Sequence, residues 1–189
     1  MFHSRNSIVF FQTVPSMLCG MRPIITKVRE ALTTPPTRQD IAAVAKELIW
    51  LVPILGLCLI LSEQMHWKPN FDTALLRLMI IAIVVPALGE ELLFRVLMLP
   101  KPEPQTPLPA IRTVQALCLF VIWHPFQAFF VGDARAVIFC DPWFLVATAA
   151  MGFSCLRLYW RSGSIWSAIF MHWLIVIAWK SLAGGPALI

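Results

Sequence analysis

The sequence predicts an all-α, polytopic membrane helix bundle with about five transmembrane helices. Its composition supports this fold class, since 59% of the 189 residues are hydrophobic and only 13% are charged, whereas a soluble globular domain carries about 25% charged residues. The apolar residues also form five runs, each near the roughly 20 residues that a helix needs to cross a bilayer. Helices are required there because lipid offers no hydrogen-bond partner to an exposed backbone amide.

The five predicted spans are joined by short connections that are rich in proline, glycine or charge. The five spans cover residues 42–62, 74–98, 111–131, 142–160 and 165–183. Before the first span, Pro35 and Pro36 predict a stiff, non-helical connection. After the third span, the connection GDARAV is predicted to be a loop. We therefore predict an N-terminal segment over residues 1–41, with Met21 as a hypothetical translation start, and a membrane domain over residues 42–189.

Basic residues predict the orientation of the bundle. Five of them lie before the first span or near its start, namely Arg22, Lys27, Arg29, Arg38 and Lys46. Because cytoplasmic loops carry an excess of lysine and arginine, we predict a cytoplasmic N-terminus. The net charge of +5 is interpreted as this topology signal and not as a nucleic-acid surface.

Two adjacent glutamates, Glu90 and Glu91, lie inside the second span, and Arg95 follows one turn later. A charged side chain at the centre of a bilayer costs roughly 2.5–3.5 kcal/mol, so carboxylates at this depth indicate a function. Glu91 and Arg95 are four residues apart with the acid first, which predicts an ion pair on one helix face. Glu90 is displaced by about 100° around the helix and is predicted to be the free carboxylate. Pro86 predicts a bend just before the site.

Single histidines lie inside the third and fifth spans. His124 is near the centre of the third span, one turn after Phe120, and His172 is about two turns into the fifth. Either histidine alone is explained equally well by a hydrogen bond to a neighbouring helix. Together with Glu90, on three helices at compatible depths, they predict one site in a water-accessible cavity, near the cytoplasmic face.

The chemistry of these side chains favours hydrolysis. A carboxylate and an imidazole beside a water form a general base, and a second imidazole can donate to a developing oxyanion. One glutamate and two histidines also match the ligands of some zinc hydrolases, which leaves zinc as an alternative. The HExxH spacing is absent and the five cysteines show no paired spacing, so no cofactor is expected. A proton-coupled transporter is disfavoured because the chain has no internal repeat.

Three short motifs occur in order: GEELLFR gives EExxxR, FVIWH gives FxxxH, and RSGSIWSAIFMHW ends in a histidine. Together they resemble the CAAX-protease and bacteriocin-processing family of glutamic-type intramembrane proteases, which includes the type II CAAX prenyl endopeptidases. The resemblance covers a protease-like core over residues 74–182. It implies that Glu90 and His124 activate water and that His172 stabilises the oxyanion. The residues that it implies as support are Glu91, Arg95 and Phe120.

One position departs from the family pattern. The family usually places asparagine or aspartate four residues after the last histidine, as a second oxyanion donor, and Val176 stands there. Loss of such a donor costs about 3–4 kcal/mol, or about 10²–10³ in rate. Gln127 and the indole of Trp123 or Trp173 are candidate substitutes.

The resemblance therefore implies an intramembrane endopeptidase of a bacterial inner (cytoplasmic) membrane. It would process a membrane-associated peptide or protein, or one with a C-terminal signal. The expected partners are this substrate and the lipid bilayer, without nucleic acid, and the oligomeric state stays open. Because of Val176, the alternative is a catalytically silent membrane immunity or chaperone protein that binds a peptide in the same cavity.

Overall fold

The computed structural model describes residues 15–63, 65–71, 73–103, 106–130 and 133–183. These residues form helices and no strand, with one isolated β-bridge between Lys68 and Ala183, so the all-α prediction is confirmed. The α-helices are α1 Pro15–Thr33, α2 Arg38–Leu61, α3 Ala74–Ala82, α4 Gly89–Glu91, α5 Ala110–Gln127, α6 Asp133–Phe139, α7 Pro142–Ser162 and α8 Trp166–Leu182.

Each predicted span overlaps one or more of these helices. Within the described residues, Arg38–Leu61 and Ala110–Phe130 are long and apolar enough to cross a membrane, and α8 is a shorter apolar helix. The count of five spans stays a prediction.

The start of α2 follows from its capping residues. Thr37 Oγ1 accepts a hydrogen bond from the Asp40 amide, and Asp40 Oδ2 accepts one from the Thr37 amide at 2.7 Å. This reciprocal arrangement satisfies two amides at the helix start. The chain before it, including Pro35 and Pro36, is not helical, as predicted. α2 then packs along α7, where Arg157 forms an ion pair of 3.1 Å with the buried Glu47.

The helix α1 was not predicted. Its C-terminal end is tied to the start of α8, because the Ser164 hydroxyl donates to Thr34 O at 2.7 Å and the Trp166 indole donates to Leu32 O at 2.8 Å. It is also tied to the chain after the second span, because Lys27 Nζ donates to the carbonyl of Leu99. α1 therefore joins two of the spans that carry the predicted site. Residues 1–14 lie outside the described part, and the Met21 start stays a prediction.

The second span is broken, which confirms the predicted bend. α3 is followed by a departure from helical geometry at Val85 (φ −131°, ψ 113°), and the chain is again helical from Pro86 to Leu97. Proline lacks a backbone N–H and clashes with the preceding turn, which accounts for the break. The Trp173 indole of α8 donates to Met79 O at 2.8 Å and so satisfies a carbonyl just before it. We call residues 74–97 the broken helix.

The prediction of a loop at GDARAV was wrong, because most of this segment lies in the short helix α6. α7 begins at its predicted position, where Asp141 Oδ1 accepts from the Phe144 amide at 2.8 Å and proline follows the cap. It ends at Gly163, whose φ of 67° is left-handed, a conformation that favours glycine after a helix.

Candidate active site

Glu91 and Arg95 form a fully buried ion pair, as their spacing predicts. Arg95 Nε lies 3.0 Å from Glu91 Oε2, and Arg95 Nη2 donates to Glu91 Oε1 at 3.2 Å. Both residues are 0% exposed. A buried charge is tolerated when it is paired and hydrogen-bonded, so this pair neutralises one of the two carboxylates within the helix that carries it.

His172 joins the two glutamates across helices. Its Nδ1–H donates to Glu91 Oε1 at 2.8 Å, because a carboxylate oxygen only accepts. Its Nε2 lies 3.8 Å from Glu90 Oε2. The imidazole of α8 is therefore oriented by Glu91 and faces Glu90 with its other nitrogen.

The two oxygens of Glu90 differ in their surroundings. Oε1 accepts hydrogen bonds from the Trp123 indole at 3.0 Å and from Gln127 Nε2 at 3.2 Å, both on α5. Oε2 is buried and has no hydrogen-bond partner. Glu90 is thus fixed through one oxygen, whereas the other stands beside His172 with unused acceptor capacity.

His124 presents a nitrogen lone pair. Its Nδ1–H donates to Phe120 O at 2.9 Å, so in the neutral ring Nε2 carries no proton and can accept. The ring packs edge-on against Phe120 and Phe144, at 5.1 and 5.7 Å between centroids. These contacts fix the imidazole on the same cavity as Glu90.

Phe120 is the packing centre of the site. Its ring lies 6.0 Å from that of His172, and the Arg95 guanidinium stands 4.5 Å over its face. α7 approaches closely behind it, where a Cβ added to Gly152 would lie only 2.7 Å from Phe120 Cδ1. Glycine is therefore required at position 152 for this ring to keep its place.

A cavity of about 670 Å³ lies beside the cluster and is lined by Glu90, His124 and His172. Apolar side chains form most of its wall. It extends away from α1, toward the end of the bundle where α2 and α8 end, and there its lining includes Trp67 and Ala183. The structure therefore brings the three predicted catalytic residues onto one cavity, although their roles stay predictions.

The candidate substitutes for the missing oxyanion donor have other partners. Trp123 and Gln127 both donate to Glu90, and the Trp173 indole donates to Met79 O. Val176 lines the cavity with an apolar side chain. The support that Trp123 and Gln127 give Glu90 was not predicted, although Gln127 is a polar side chain inside an apolar span.

No three histidine, cysteine, aspartate or glutamate side chains in the described ranges are arranged to hold a metal ion. His172 instead donates a hydrogen bond to Glu91, and its other ring nitrogen lies 3.8 Å from Glu90 Oε2. Zinc stays an alternative for experiment.

The fold is a helical bundle with helices apolar enough to cross a membrane, and one cavity gathers a carboxylate and two imidazoles. The chain belongs to the type II CAAX prenyl endopeptidase Rce1-like family, whose model matches residues 72–178, more than half of the 189 residues. The match confirms the family resemblance. It contains Glu90, His124 and His172 and leaves α1 and α2 outside. Comparison with curated proteins and with solved structures gives no match.

Proposed function

We propose that this protein is an intramembrane endopeptidase that hydrolyses a peptide bond with water activated by Glu90 and His124. The observation that carries the proposal is the unpartnered Glu90 Oε2 at the cavity, on a carboxylate whose other oxygen accepts two hydrogen bonds. A buried polar atom without a partner is costly. Oε2 is buried at the wall of the cavity, so a small shift of the Glu90 side chain would admit a water molecule, which would supply the missing hydrogen bond and lie where a base needs it.

The proposed reaction balances within the cluster. The water oxygen attacks the carbonyl carbon of the scissile bond while one water proton passes to Glu90 Oε2. His124 Nε2 accepts the second hydrogen bond of the water and orients it. The tetrahedral intermediate then breaks its C–N bond, and the proton held by Glu90 passes to the leaving amine. Glu90 is thereby returned to its starting form.

His172 is the proposed oxyanion donor. Because its Nδ1–H is already donated to Glu91, its Nε2 can donate only when the ring carries both protons. In that form the ring is a cation held between the Glu90 and Glu91 carboxylates. A charged donor also makes a stronger hydrogen bond than a neutral amide, which compensates in part for Val176.

The cavity sets the side from which substrate approaches. With the N-terminus in the cytoplasm, as the basic residues predict, the cavity extends from the cluster toward the opposite side of the bilayer. Substrate would then approach from that side and not from the cytoplasmic face. A mostly apolar wall suits a membrane-associated substrate.

The test is cleavage by reconstituted protein of a pooled library of synthetic decapeptides rich in alanine, valine, leucine and phenylalanine, read by mass spectrometry. Glu90→Gln keeps the size of the side chain but removes the base, and we expect about a 10²–10⁴-fold loss of rate. The matched control is Glu103→Gln, at an exposed position outside the cluster, which should cleave at the wild-type rate. Cleavage by the Glu90→Gln protein at the wild-type rate would refute the mechanism.

A chelator separates the metal alternative. Activity that is lost with chelator and restored by zinc would replace the proposed water activation by a metal site. Wild-type protein that binds the peptides without cleaving them would instead support the silent immunity or chaperone function.

A further inference from the structure

Thr148 places a hydroxyl group on the wall of the cavity. The residue lies on α7, is 5% exposed and belongs to the cavity lining. Its Oγ1 makes no hydrogen bond within the described residues, and it is not one of their side-chain atoms that are both unpartnered and out of reach of a probe. The small accessible surface of Thr148 therefore includes this oxygen, and the open space beside it is the cavity.

The Thr148 hydroxyl hydrogen is available to an acceptor in the cavity. Serine and threonine in a helix can donate the hydroxyl to the carbonyl four residues earlier. Thr33, Ser162 and Ser181 do so, at 2.8, 3.0 and 2.7 Å. Thr148 makes no such bond, although its position in α7 offers the same carbonyl. Its hydroxyl can therefore turn toward the cavity without breaking a bond in the protein.

Two contacts fix the register of α7 against α8. Cys155 Sγ donates to Ala168 O at 3.5 Å, and the Phe144 ring lies 5.1 Å from the Trp179 ring. Going back along α7 corresponds to going forward along α8, and the two contacts are equally far apart on both helices. The helices therefore run antiparallel without a shift in register between them.

This register places Thr148 level with Val176. Thr148 follows Phe144 by one turn of α7, and Val176 precedes Trp179 by about one turn of α8. Both Thr148 and Val176 line the cavity. At this depth α8 therefore presents an apolar side chain, and the neighbouring helix presents a hydroxyl.

The contacts between α7 and α5 place Thr148 level with His124. Gly152 packs directly against the Phe120 ring, and the His124 ring lies 5.7 Å from the Phe144 ring. His124 is one turn beyond Phe120, and Thr148 is midway between Phe144 and Gly152. The Thr148 hydroxyl thus faces the cavity at the depth of one of the two groups that are proposed to activate water.

We propose that Thr148 is a second oxyanion donor, beside His172 Nε2. The inference rests on the proposed function, in which Glu90 and His124 activate the attacking water. As the water attacks, the carbonyl oxygen of the scissile bond gains negative charge, and the Thr148 hydroxyl donates a hydrogen bond to it. No proton is transferred in this contact. Thr148 thereby supplies from α7 the donor that Val176 does not supply from α8.

The first test removes the hydroxyl and keeps the shape of the side chain. It uses the decapeptide that wild-type protein cleaves fastest. Thr148→Val should lower kcat by about 10–10²-fold with KM unchanged, because the lost hydrogen bond forms only in the transition state. Thr148→Ser keeps a hydroxyl and should stay within about threefold of the wild-type kcat.

The matched control is Thr113→Val, which removes a buried, unpartnered hydroxyl of α5 outside the cavity lining and should leave kcat unchanged. Thermal unfolding in detergent checks that each variant is folded. Thr148→Ala also removes the hydroxyl, should lose the same factor, and replaces Thr148→Val if that protein does not fold. A wild-type kcat without the hydroxyl, a change in KM alone, or an equal loss in Thr148→Ser overturns the inference.

A second test asks whether Thr148 and a donor at position 176 serve the same oxygen. Val176→Asn should raise kcat by a larger factor in the Thr148→Val protein than in wild-type protein, because the new amide then replaces the lost hydroxyl. Groups that act on one atom are not additive in this way. Equal factors in the two proteins overturn the inference.

The two proposals fail in different ways. Absence of cleavage by wild-type protein refutes the endopeptidase and the role of Thr148 together. Cleavage that depends on Glu90, with Thr148→Val at the wild-type rate, refutes the role of Thr148 alone.

Discussion

Glu90 and Glu91 are neighbours in the sequence, yet the protein surrounds them in opposite ways. Glu91 is 0% exposed and is bonded to Arg95 and to His172. Glu90 stands at the cavity with one oxygen held by α5 and the other without a hydrogen bond. A rotation of about 100° between consecutive residues of a helix separates the two environments.

This difference shows how one helical turn can combine structure and chemistry. The Glu91 side is closed, with its charge neutralised and its hydrogen bonds distributed over two helices. The Glu90 side is open to a cavity that extends away from it. Substitutions on the Glu91 side should therefore mainly lower stability, and substitutions on the Glu90 side should mainly change activity.

The largest effect on folding is expected from Glu91→Gln. The change leaves the fully buried Arg95 without its counter-ion, and loss of one partner of a buried pair costs about 3–5 kcal/mol. Thermal unfolding in detergent measures it, with Glu90→Gln as the matched control, for which we expect a change below about 1 kcal/mol. Equal losses in the two variants would contradict the division between a closed and an open side.

A smaller loss is expected from Gly152→Ala, on the closed side. The added methyl group would lie 2.7 Å from Phe120 Cδ1 and displace a ring that contacts Arg95 and both histidines, at a cost of about 1–3 kcal/mol. Gly56→Ala is the control, since nothing lies within 4 Å of a Cβ at that position and alanine favours the helix by about 1 kcal/mol. Equal destabilisation by both changes would show that Phe120 is not closely packed.

The smallest effect is expected from Val176→Asn, on the open side. Because Trp123, Gln127 and Trp173 already have acceptors, a new amide should raise kcat by about three- to tenfold, less than the 10²–10³ of a native donor. Single-turnover cleavage of the best decapeptide measures this change. An unchanged or lower rate would mean that another donor already serves the oxyanion.

Local spacing in the sequence predicted the closed side well. The four-residue separation of Glu91 and Arg95 places them on one helix face, and Pro86 disrupts the helix before them. Hydropathy located the helices because lipid admits few alternatives. The family motifs supplied the roles that remain predictions.

The open side depends on how helices rotate against each other, which spacing within one helix does not specify. The sequence did not predict that Trp123 and Gln127 donate to Oε1 of Glu90, because this depends on how α5 packs against the broken helix. The helix α1 was missed because its residues lack a long apolar run, and most of its connections are to residues distant in the sequence.

In the proposed reaction Glu90 activates water and does not itself attack the substrate. A single turnover in H₂¹⁸O, with protein in excess over the best decapeptide, tests it through mass spectrometry of the products and of the protein fragment that contains Glu90. We expect one ¹⁸O in the new peptide carboxylate and none in Glu90. Label in the Glu90 side chain, with an unlabelled product, would show a covalent intermediate and contradict it.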